Sequence, residues 1–587
     1  MQNHIKLSVR NLIETTLRSG DIDNRFMSTS RALEGTLAHQ KIQSNYKEKD
    51  LKEVTLSISI DYKGFVFDID GRADGILFED ENVIIDEIKT TTRKLDNMEE
   101  EINILHSAQA LCYAIIYQRE KNLNQISINL TYFNIETETT KKKRRDYDKY
   151  QVEEFFYSLL DRYIVFAKMV EDWKKKRDSS INKIEFPFNK YRRGQRELAV
   201  GVYTAIKEGK RLFVKAPTGI GKTMSTIFPS LKALERFELD KIFYLTAKTL
   251  TQQAPENSVK MLMENGLSLK TSILTSKEKI CLNEEVKCNP IDCPYAKGHY
   301  DRVNEAIIDI FNNEDFFCYE KIIEYSKKYN VCPFEYQLDI SLYSDLIICD
   351  YNYAFDPQVY LKRFFEFNNG QNIFLIDEAH NLIDRAREMY SASLNTNLLK
   401  ETLNVLKSNK TKKTKDLEKV IKKIETKVNE ALSKGIIYQI EEFDDIYWPI
   451  SKTLVLLEKF LIENKEVEGY DTCLDAYFTL NSFLRISEFF SDNYVVKFSE
   501  ENKDCTVSLY CLDASKFIKN ITSENKANVY FSATLTPINY FKDLLGSEKD
   551  DYHMILKSPF KKENLLILVN NNISTRYKDR LDTFALI

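Results

Sequence analysis

Two short segments carry residues suited to phosphate chemistry. The loop Ala216-Pro-Thr-Gly-Ile-Gly-Lys222-Thr223 follows the apolar run Leu212-Phe-Val214, and the acidic box Asp377-Glu378-Ala379-His380 follows Asn372-Ile-Phe-Leu-Ile376. The loop fits a phosphate-binding loop with Ala216 in place of its first glycine. Its backbone N–H groups, with the dipole of the helix that follows, would cradle nucleotide phosphates, and Gly219 and Gly221 let the backbone come close. Lys222 is then placed to reach the β- and γ-phosphates and the Thr223 hydroxyl to bind Mg²⁺. Asp377, at the carboxyl end of its strand, would hold the same Mg²⁺, and Glu378 would orient and deprotonate an attacking water. ATP and Mg²⁺ are the cofactors these motifs imply.

Between the two motifs lies a group of cysteines. Six residues separate Cys281 from Cys288 and four separate Cys288 from Cys293, while Cys332 follows much later in Cys-Pro-Phe-Glu335. Zinc sites usually pair cysteines two to four residues apart, so the wide first gap disfavours a zinc ribbon. Four thiolates can instead hold a [4Fe–4S] cube, whose size tolerates irregular spacing. Cys318 competes for one ligand position.

In their order the motor motifs resemble those of superfamily 2 helicases. Tyr191-Arg-Arg-Gly-Gln195 resembles the segment whose glutamine reads adenine, Leu245-Thr-Ala-Lys-Thr249 a DNA-backbone contact, and Ser532-Ala-Thr534 the motif coupling nucleotide state to DNA binding. The cysteine segment, with Asp350-Tyr-Asn-Tyr353 after it, resembles the cluster domain of the iron–sulfur DNA helicases of the XPD and DinG type. That resemblance implies Cys332 as the fourth ligand, because the family shows Cys-Pro followed by an aromatic there. It also implies movement 5′ to 3′ on single-stranded or forked DNA, a role in repair, and a channel formed by the cluster insertion and a helical insertion. Contacts to phosphates and stacked bases in such a channel are sequence-tolerant and salt-sensitive.

A second set lies near the amino terminus: Gly35-Thr-Leu-Ala-His39, Gly71-Arg-Ala-Asp74, Asp86-Glu87-Ile-Lys89-Thr90 and Gln109-Ala-Leu-Cys-Tyr113. In this order it resembles the RecB-like branch of the PD-(D/E)XK nucleases over about 100 residues. Asp74 and Glu87 on adjoining strands can share a divalent ion, Mg²⁺ or Mn²⁺, with His39 as a third ligand. Lys89 follows Glu87 by two residues and shares its strand face, where it can hold the nucleophilic water or the scissile phosphate. Gln109 and Tyr113, four apart on a helix, share a face suited to positioning DNA or Lys89. Relatives with a cluster inside the nuclease need several cysteines there, and this region has only Cys112, so no second cluster is expected.

Positioning these groups requires α/β architecture. Residues 1–180 are expected to form the nuclease-like domain, with strands Phe65–Asp70 and Asn82–Asp86 around a turn at 79–81, helices over Glu100–Arg119 and Val152–Lys174, and a linker at 174–182. A RecA-like motor domain occupies 183–271, 341–383 and 521–545, with strands at 212–214, 241–245, 345–349, 372–376 and 529–531. The cluster insertion (272–340) and a largely helical, arch-like insertion (384–520), including an amphipathic helix Leu417–Leu432, interrupt it. Residues 546–587 are expected to open a second motor domain.

At 587 residues the chain should hold about four units of roughly 150 residues each. A net charge of -5, with 43% hydrophobic and 29% charged residues, fits a globular protein and excludes a uniformly basic nucleic-acid binder. The basic runs Lys141–Arg145 and Lys174–Arg177 read equally well as solvated surface. Ten cysteines without an apolar leader or an uncharged apolar stretch of about 18 residues point to metal ligands or buried thiols in a soluble, cytoplasmic protein with no membrane contact. Nothing in the sequence names a protein partner.

Superfamily 2 motors complete the ATP site with an arginine from a second domain, in a Gln-x-x-Gly-Arg-x-x-Arg motif that this sequence lacks. Ser558-Pro-Phe560 and Ile573 to Arg580 resemble only the opening of that domain. The chain is therefore expected to be a fragment or truncated product that binds ATP but hydrolyses it poorly, an arginine finger being worth ~10³ or more in rate. The alternative to a helicase with a nuclease is a nucleotide-gated DNA-binding protein without efficient hydrolysis or cleavage.

Overall fold

The computed structural model describes residues 3–23, 38–80, 82–91, 95, 103–134, 137–359, 370–409, 412–464, 467–501, 504–564, 566–570, 573–574 and 576–579. Of the motifs and elements above, Gly35 to Leu37, Glu81, Glu100 to Ile102, Thr575 and Arg580 lie outside the described residues.

The amino-terminal sheet grows from a hairpin. Lys63 and Gly64 both take positive φ (48° and 88°), which the tight turn between strands Leu51–Tyr62 and Phe65–Glu79 requires. Phe65–Glu79 pairs antiparallel with Leu51–Tyr62 along one edge. Its other edge is shared, with parallel Asn3–Ser8 against its first half and antiparallel Asn82–Thr91 against residues 75–79. Asn82–Thr91 then pairs parallel with Gln125–Asn134, and that strand with Thr140–Asp148. Six strands stand where two are expected. Asp68, Asp70 and Arg72 interrupt the apolar run of the second strand in the sequence, yet they alternate with buried Phe67, Ile69 and Ala73, so the charges belong to its open face. The basic run 141–145 forms most of an edge strand, a use of charge that discourages further pairing. Helix Ile104–Lys121 covers the sheet with Ala108, Leu111, Ile115 and Ile116 buried.

The motor sheet has eight parallel strands, in the order Phe316–Phe317, Thr271–Ile273, Leu346–Asp350, Lys241–Thr246, Asn372–Asp377, Ala527–Ser532, Arg211–Lys215 and Tyr552–Ile555. Helices on both faces bury the apolar runs that mark its inner strands. Two boundaries move. Tyr552–Ile555 pairs with Arg211–Lys215, so this sheet extends past residue 545, and segment 272–340 contributes the edge strand Phe316–Phe317. The arch-like insertion also carries a four-stranded antiparallel sheet, Ala392–Asn395, Asp504–Cys511, Tyr494–Glu501 and Tyr438–Gln439. Its strands alternate buried Tyr494, Val496 and Phe498 with less buried neighbours, a period of two among long helices. The expected Leu417–Leu432 helix lies within Lys412–Ser433. Among the described residues no helix is long and apolar enough to cross a membrane.

The expected linker at 174–182 is instead the last part of one helix, Lys149–Lys183, opened by an Asp148/Gln151 capping box. Lys174 to Lys176 face solvent, while Trp173, Arg177, Ser180 and Ile181 are buried, the i, i+4, i+7, i+8 pattern of one helical face. The charges are the solvated side of that helix. Arg177 Nη1 meets Asp345 Oδ1 at 2.8 Å and Trp173 Nε1 donates to Asp345 Oδ2 at 2.8 Å, joining the amino-terminal domain to the motor sheet. Arg177→Met is expected to destabilise the chain by about 3 kcal/mol, because Asp345 would remain a buried carboxylate without its counter-ion. The drop in denaturation midpoint should shrink when Asp345→Asn is added.

Candidate functional site

The phosphate loop, Asp377 and Ser532 share one edge because the strands before them run parallel: Lys215 pairs with Ser532, and Asp377 with Phe531. Lys222 Nζ donates to Glu378 Oε1 at 2.6 Å, and Ser532 Oγ donates to Glu378 Oε2 at 2.9 Å. His380 Nδ1 stands 2.7 Å from Ser532 Oγ. Glu378 takes φ 46°, a left-handed conformation costing of order 1–3 kcal/mol in a non-glycine residue and typical of functional sites. Burial works to raise the Glu378 carboxyl, but the Lys222 hydrogen bond and charge, with Ser532, hold it below the ordinary range. Burial raises Asp377, against the charge of Lys222 and the Tyr244 hydroxyl, which donates to its Oδ2 at 2.9 Å.

Gly219 and Gly221 take φ 87° and 84°. A Cβ on Gly221 would stand 2.5 Å from Gln195 Nε2, and one on Gly219 would stand 2.5 Å from the Phe560 ring, so a side chain at either position would be strained by its φ and would displace that neighbour. Buried Gln195 accepts from the Arg192 N–H at 2.9 Å, and Arg192 Nη1 donates to the Gly219 carbonyl at 2.7 Å. Thr223 follows Lys222 in the first turn of helix Lys222–Arg236. Phe560 belongs to the Ser558-Pro-Phe segment expected to begin another domain, and it lies against the phosphate loop.

In the amino-terminal sheet the strands fork at Asp74. Asp74 Oδ2 accepts from the Ile88 N–H at 2.7 Å, and His39 Nδ1 lies 3.4 Å from Asp74 Oδ1. Lys89 Nζ donates to Glu87 Oε1 at 2.6 Å and to Gln109 Oε1 at 3.2 Å; Gln109 Nε2 stands 3.5 Å from the Tyr113 hydroxyl. The Tyr113 ring fills the space a Cβ on Gly71 would need, 2.7 Å away. The trio closing to metal-binding distance differs from the expected one. Ligand atoms of His39, Glu53 and Asp74 lie within 4.8 Å of one another, while Glu87 turns to Lys89. Lys52 pairs with Gly75 and Val54 with Ala73, which sets Glu53 opposite Asp74 on the same face. Like charges so placed repel unless a cation or donor intervenes. Gln43 Nε2, 2.7 Å from Glu53 Oε1, and Arg72, 3.0 Å from Oε2, partly meet that need.

Cys281, Cys288, Cys293 and Cys332 line one small cavity with Lys277. Among the described residues no three of these sulfurs approach within the 4.8 Å that groups the His39 trio, whereas a tetrahedral zinc would draw them to about 3.8 Å. Cys318 is outside this cavity. Burial pushes the Cys332 thiol up to about 12, so it would need a metal to become a ligand thiolate. Its backbone N–H donates to His299 Nδ1 at 3.1 Å.

Residues 9–194 match the family model for the PD-(D/E)XK nuclease superfamily, and residues 245–399 match DEAD_2. Each match covers less than half of the chain, the amino-terminal part being similar to the PD-(D/E)XK nuclease superfamily and the middle part to DEAD_2. It is 24% identical over 459 residues to a probable ATP-dependent helicase of Methanocaldococcus jannaschii, covering 68% of this chain and 67% of that protein. It is 23% identical over 347 residues to a regulator of telomere elongation helicase 1 homolog of Caenorhabditis briggsae, covering 51% of this chain and 32% of that protein. The chain thus spans about a third of the nematode protein's length. Among solved structures, an XPD helicase aligns at 16% identity and TM-score 0.43, over 63% of each chain.

Within the PD-(D/E)XK domain, Glu53 is the site residue that sequence reasoning missed. Its signal is a strand register, which no spacing along the chain reveals. In the motor sheet His380 and Ser532 were visible within motifs, but their contact was not.

Glu87 also sets a pH dependence. Burial pushes its carboxyl up to about 7 from 4.5, against the pull of Lys89, and it is 1% exposed. Between those values the folded domain keeps a proton that the unfolded chain has released. The stability is full below pH 4.5 and is lost as pH rises through 7, by about 3 kcal/mol at roughly 1.4 kcal/mol per unit. In EDTA, denaturation midpoints of the PD-(D/E)XK domain should fall between pH 5 and pH 8 for the wild type and fall less for Glu87→Gln, the remaining pH dependence coming from His39, shifted by Asp74, and from Asp86 and His106, shifted by burial. Parallel pH profiles would show that Glu87 is not the titrating group.

Proposed function

We propose that this chain is an ATP-dependent DNA helicase, moving 5′ to 3′ on single-stranded or forked DNA in repair, whose PD-(D/E)XK domain is a metal-dependent DNA nuclease and whose four cysteines hold a [4Fe–4S] cluster. The observation carrying the motor reading is the network Lys222–Glu378–Ser532–His380, which ties the phosphate loop, the acidic box and the last inner strand together at one sheet edge. A nucleotide's phosphates compete with Glu378 for Lys222. Once Lys222 moves to them, Glu378 is released to orient water, and Ser532 registers the change through its bond to Glu378. Thr223 and Asp377 would hold Mg²⁺, which neutralises phosphate charge.

In the PD-(D/E)XK domain Asp74, Glu87, His39 and Glu53 would hold Mg²⁺ or Mn²⁺, which supplies an activated water. Lys89, held by Gln109, would position that water or the scissile phosphate. The cysteine spacing fits a cube better than a single ion, and the cluster would brace the insertion. Protein purified anaerobically should carry about four irons with sulfide and absorb broadly in the visible. Cys281→Ser should lose both, and one zinc without iron would remove the cluster from this reading.

The motor reading is tested by DNA binding: a non-hydrolysable ATP analogue should change affinity for single-stranded DNA by about fivefold or more, the lower range of coupled sites. Affinity indifferent to nucleotide would defeat it. DNA-stimulated ATP turnover with strand separation distinguishes a helicase from a nucleotide-gated clamp.

A further inference from the structure

We infer that the PD-(D/E)XK domain supplies one wall of the cysteine site, closing it with residues 18–22 so that the cofactor shell is shared between two domains. This rests on the [4Fe–4S] reading above. Every residue lining the cysteine cavity comes from 277–334 except Ile22. Ile22 is 3% exposed and packs on Cys293 and Ala296, with Cys288 and Cys332 against the same apolar group.

Backbone and side-chain bonds fix this wall in register. The Ile22 N–H donates to the Ala296 carbonyl at 2.9 Å and the Tyr300 N–H to the Gly20 carbonyl at 3.0 Å. The Gly298 N–H donates to Asp21 Oδ1 at 2.6 Å, and the Gly20 N–H to Asp301 Oδ1 at 2.8 Å. Arg18 seals the margin, its guanidinium 3.7 Å from the centre of the Tyr300 ring and 3.6 Å from Asp339. The bonds run in both directions between loop 18–22 and residues 296–301, so neither side can shift without breaking several of them.

An iron–sulfur cluster's lability and potential depend on solvent access and on the apolar groups around its sulfurs. Ile22 is the apolar group that keeps water from the Cys293 side. By linkage, a cluster that holds residues 296–301 in place also holds loop 18–22, and the loop in turn holds the cluster.

The test uses the full chain, loaded anaerobically, and follows iron release to a chromogenic chelator together with loss of visible absorbance. Ile22→Ser should load the same iron as wild type but release it at least about tenfold faster, since a polar, smaller side chain opens the wall to water; Ile22→Val should stay near wild type. Equal release from Ile22→Ser and wild type would overturn the shared wall while leaving the cluster standing. Wild type without iron or sulfide would overturn the cluster and the wall with it. Hydrogen exchange on the wild type gives a reading independent of any variant: the amides of Ile22, Gly298 and Tyr300 should be protected in loaded protein and exchange faster after cluster removal. Unchanged exchange on removal would also overturn the inference.

Discussion

Asp74→Ala is expected to abolish Mn²⁺ binding in the PD-(D/E)XK domain and to lower cleavage of single-stranded DNA by ~10² or more, because Asp74 is the ligand between the two strands and its loss leaves only His39 and Glu53 of the trio. Cleavage by the wild type should need Mg²⁺ or Mn²⁺ and no ATP, since the chemistry calls on a metal-activated water and not on the motor. Lys89→Ala should separate binding from chemistry: Mn²⁺ affinity stays within a few-fold of wild type while cleavage slows ~10² or more, as for loss of a residue that positions the nucleophile. Titration of Mn²⁺ by its electron paramagnetic resonance signal, beside cleavage of end-labelled DNA, reads both. Activity unchanged in both variants would belong to a contaminant or another site. A wild type that binds Mn²⁺ but cuts no DNA in any metal or salt would make the domain a DNA-gripping relative of the nucleases.

The second large effect is on nucleotide affinity. Lys222→Ala should weaken binding of a fluorescent ATP analogue by ~10–100-fold, the range for losing a charge-assisted hydrogen bond to phosphate. Glu378→Gln should bind at least as tightly as wild type, because the 2.6 Å Lys222–Glu378 pair must open before Lys222 can meet a phosphate, and an amide holds the ammonium less strongly than a carboxylate. A weaker Glu378→Gln complex would mean that Glu378 contributes to binding and does not merely compete for Lys222. Equal affinity in wild type and Lys222→Ala would mean that the loop holds no phosphate.

Five of the six inner strands of the motor sheet were legible to within two residues, because a strand buried on both faces reads as an unbroken apolar run such as Ile373 to Ile376, whereas the three-residue strand Thr271–Ile273 was too short to read. The antiparallel sheet of the arch-like insertion was not. Its strands are covered on one face only, and Lys497 and Ser499 alternate with Val496 and Phe498, a short signal lost among long amphipathic helices. The helix through 174–182 was hidden for a related reason: Lys174 to Lys176 look like a linker until the buried face of Trp173, Arg177 and Ile181 is known.

What the sequence determined by itself is the chemistry available along each local stretch. Gly219 and Gly221 can take positive φ, Lys222 follows them into a helix, Asp377 ends a strand, and Glu87 and Lys89 alternate onto one face. Each of these follows from a backbone period or a side-chain type within a few residues. Tertiary structure decided which distant groups meet: Glu53 opposite Asp74 through a strand register, Ser532 on Glu378 through a parallel pairing, Phe560 against Gly219, and Ile22 against the cysteines. Such meetings depend on packing and on the pairing of strands far apart in the chain, and neither leaves a fixed spacing to read.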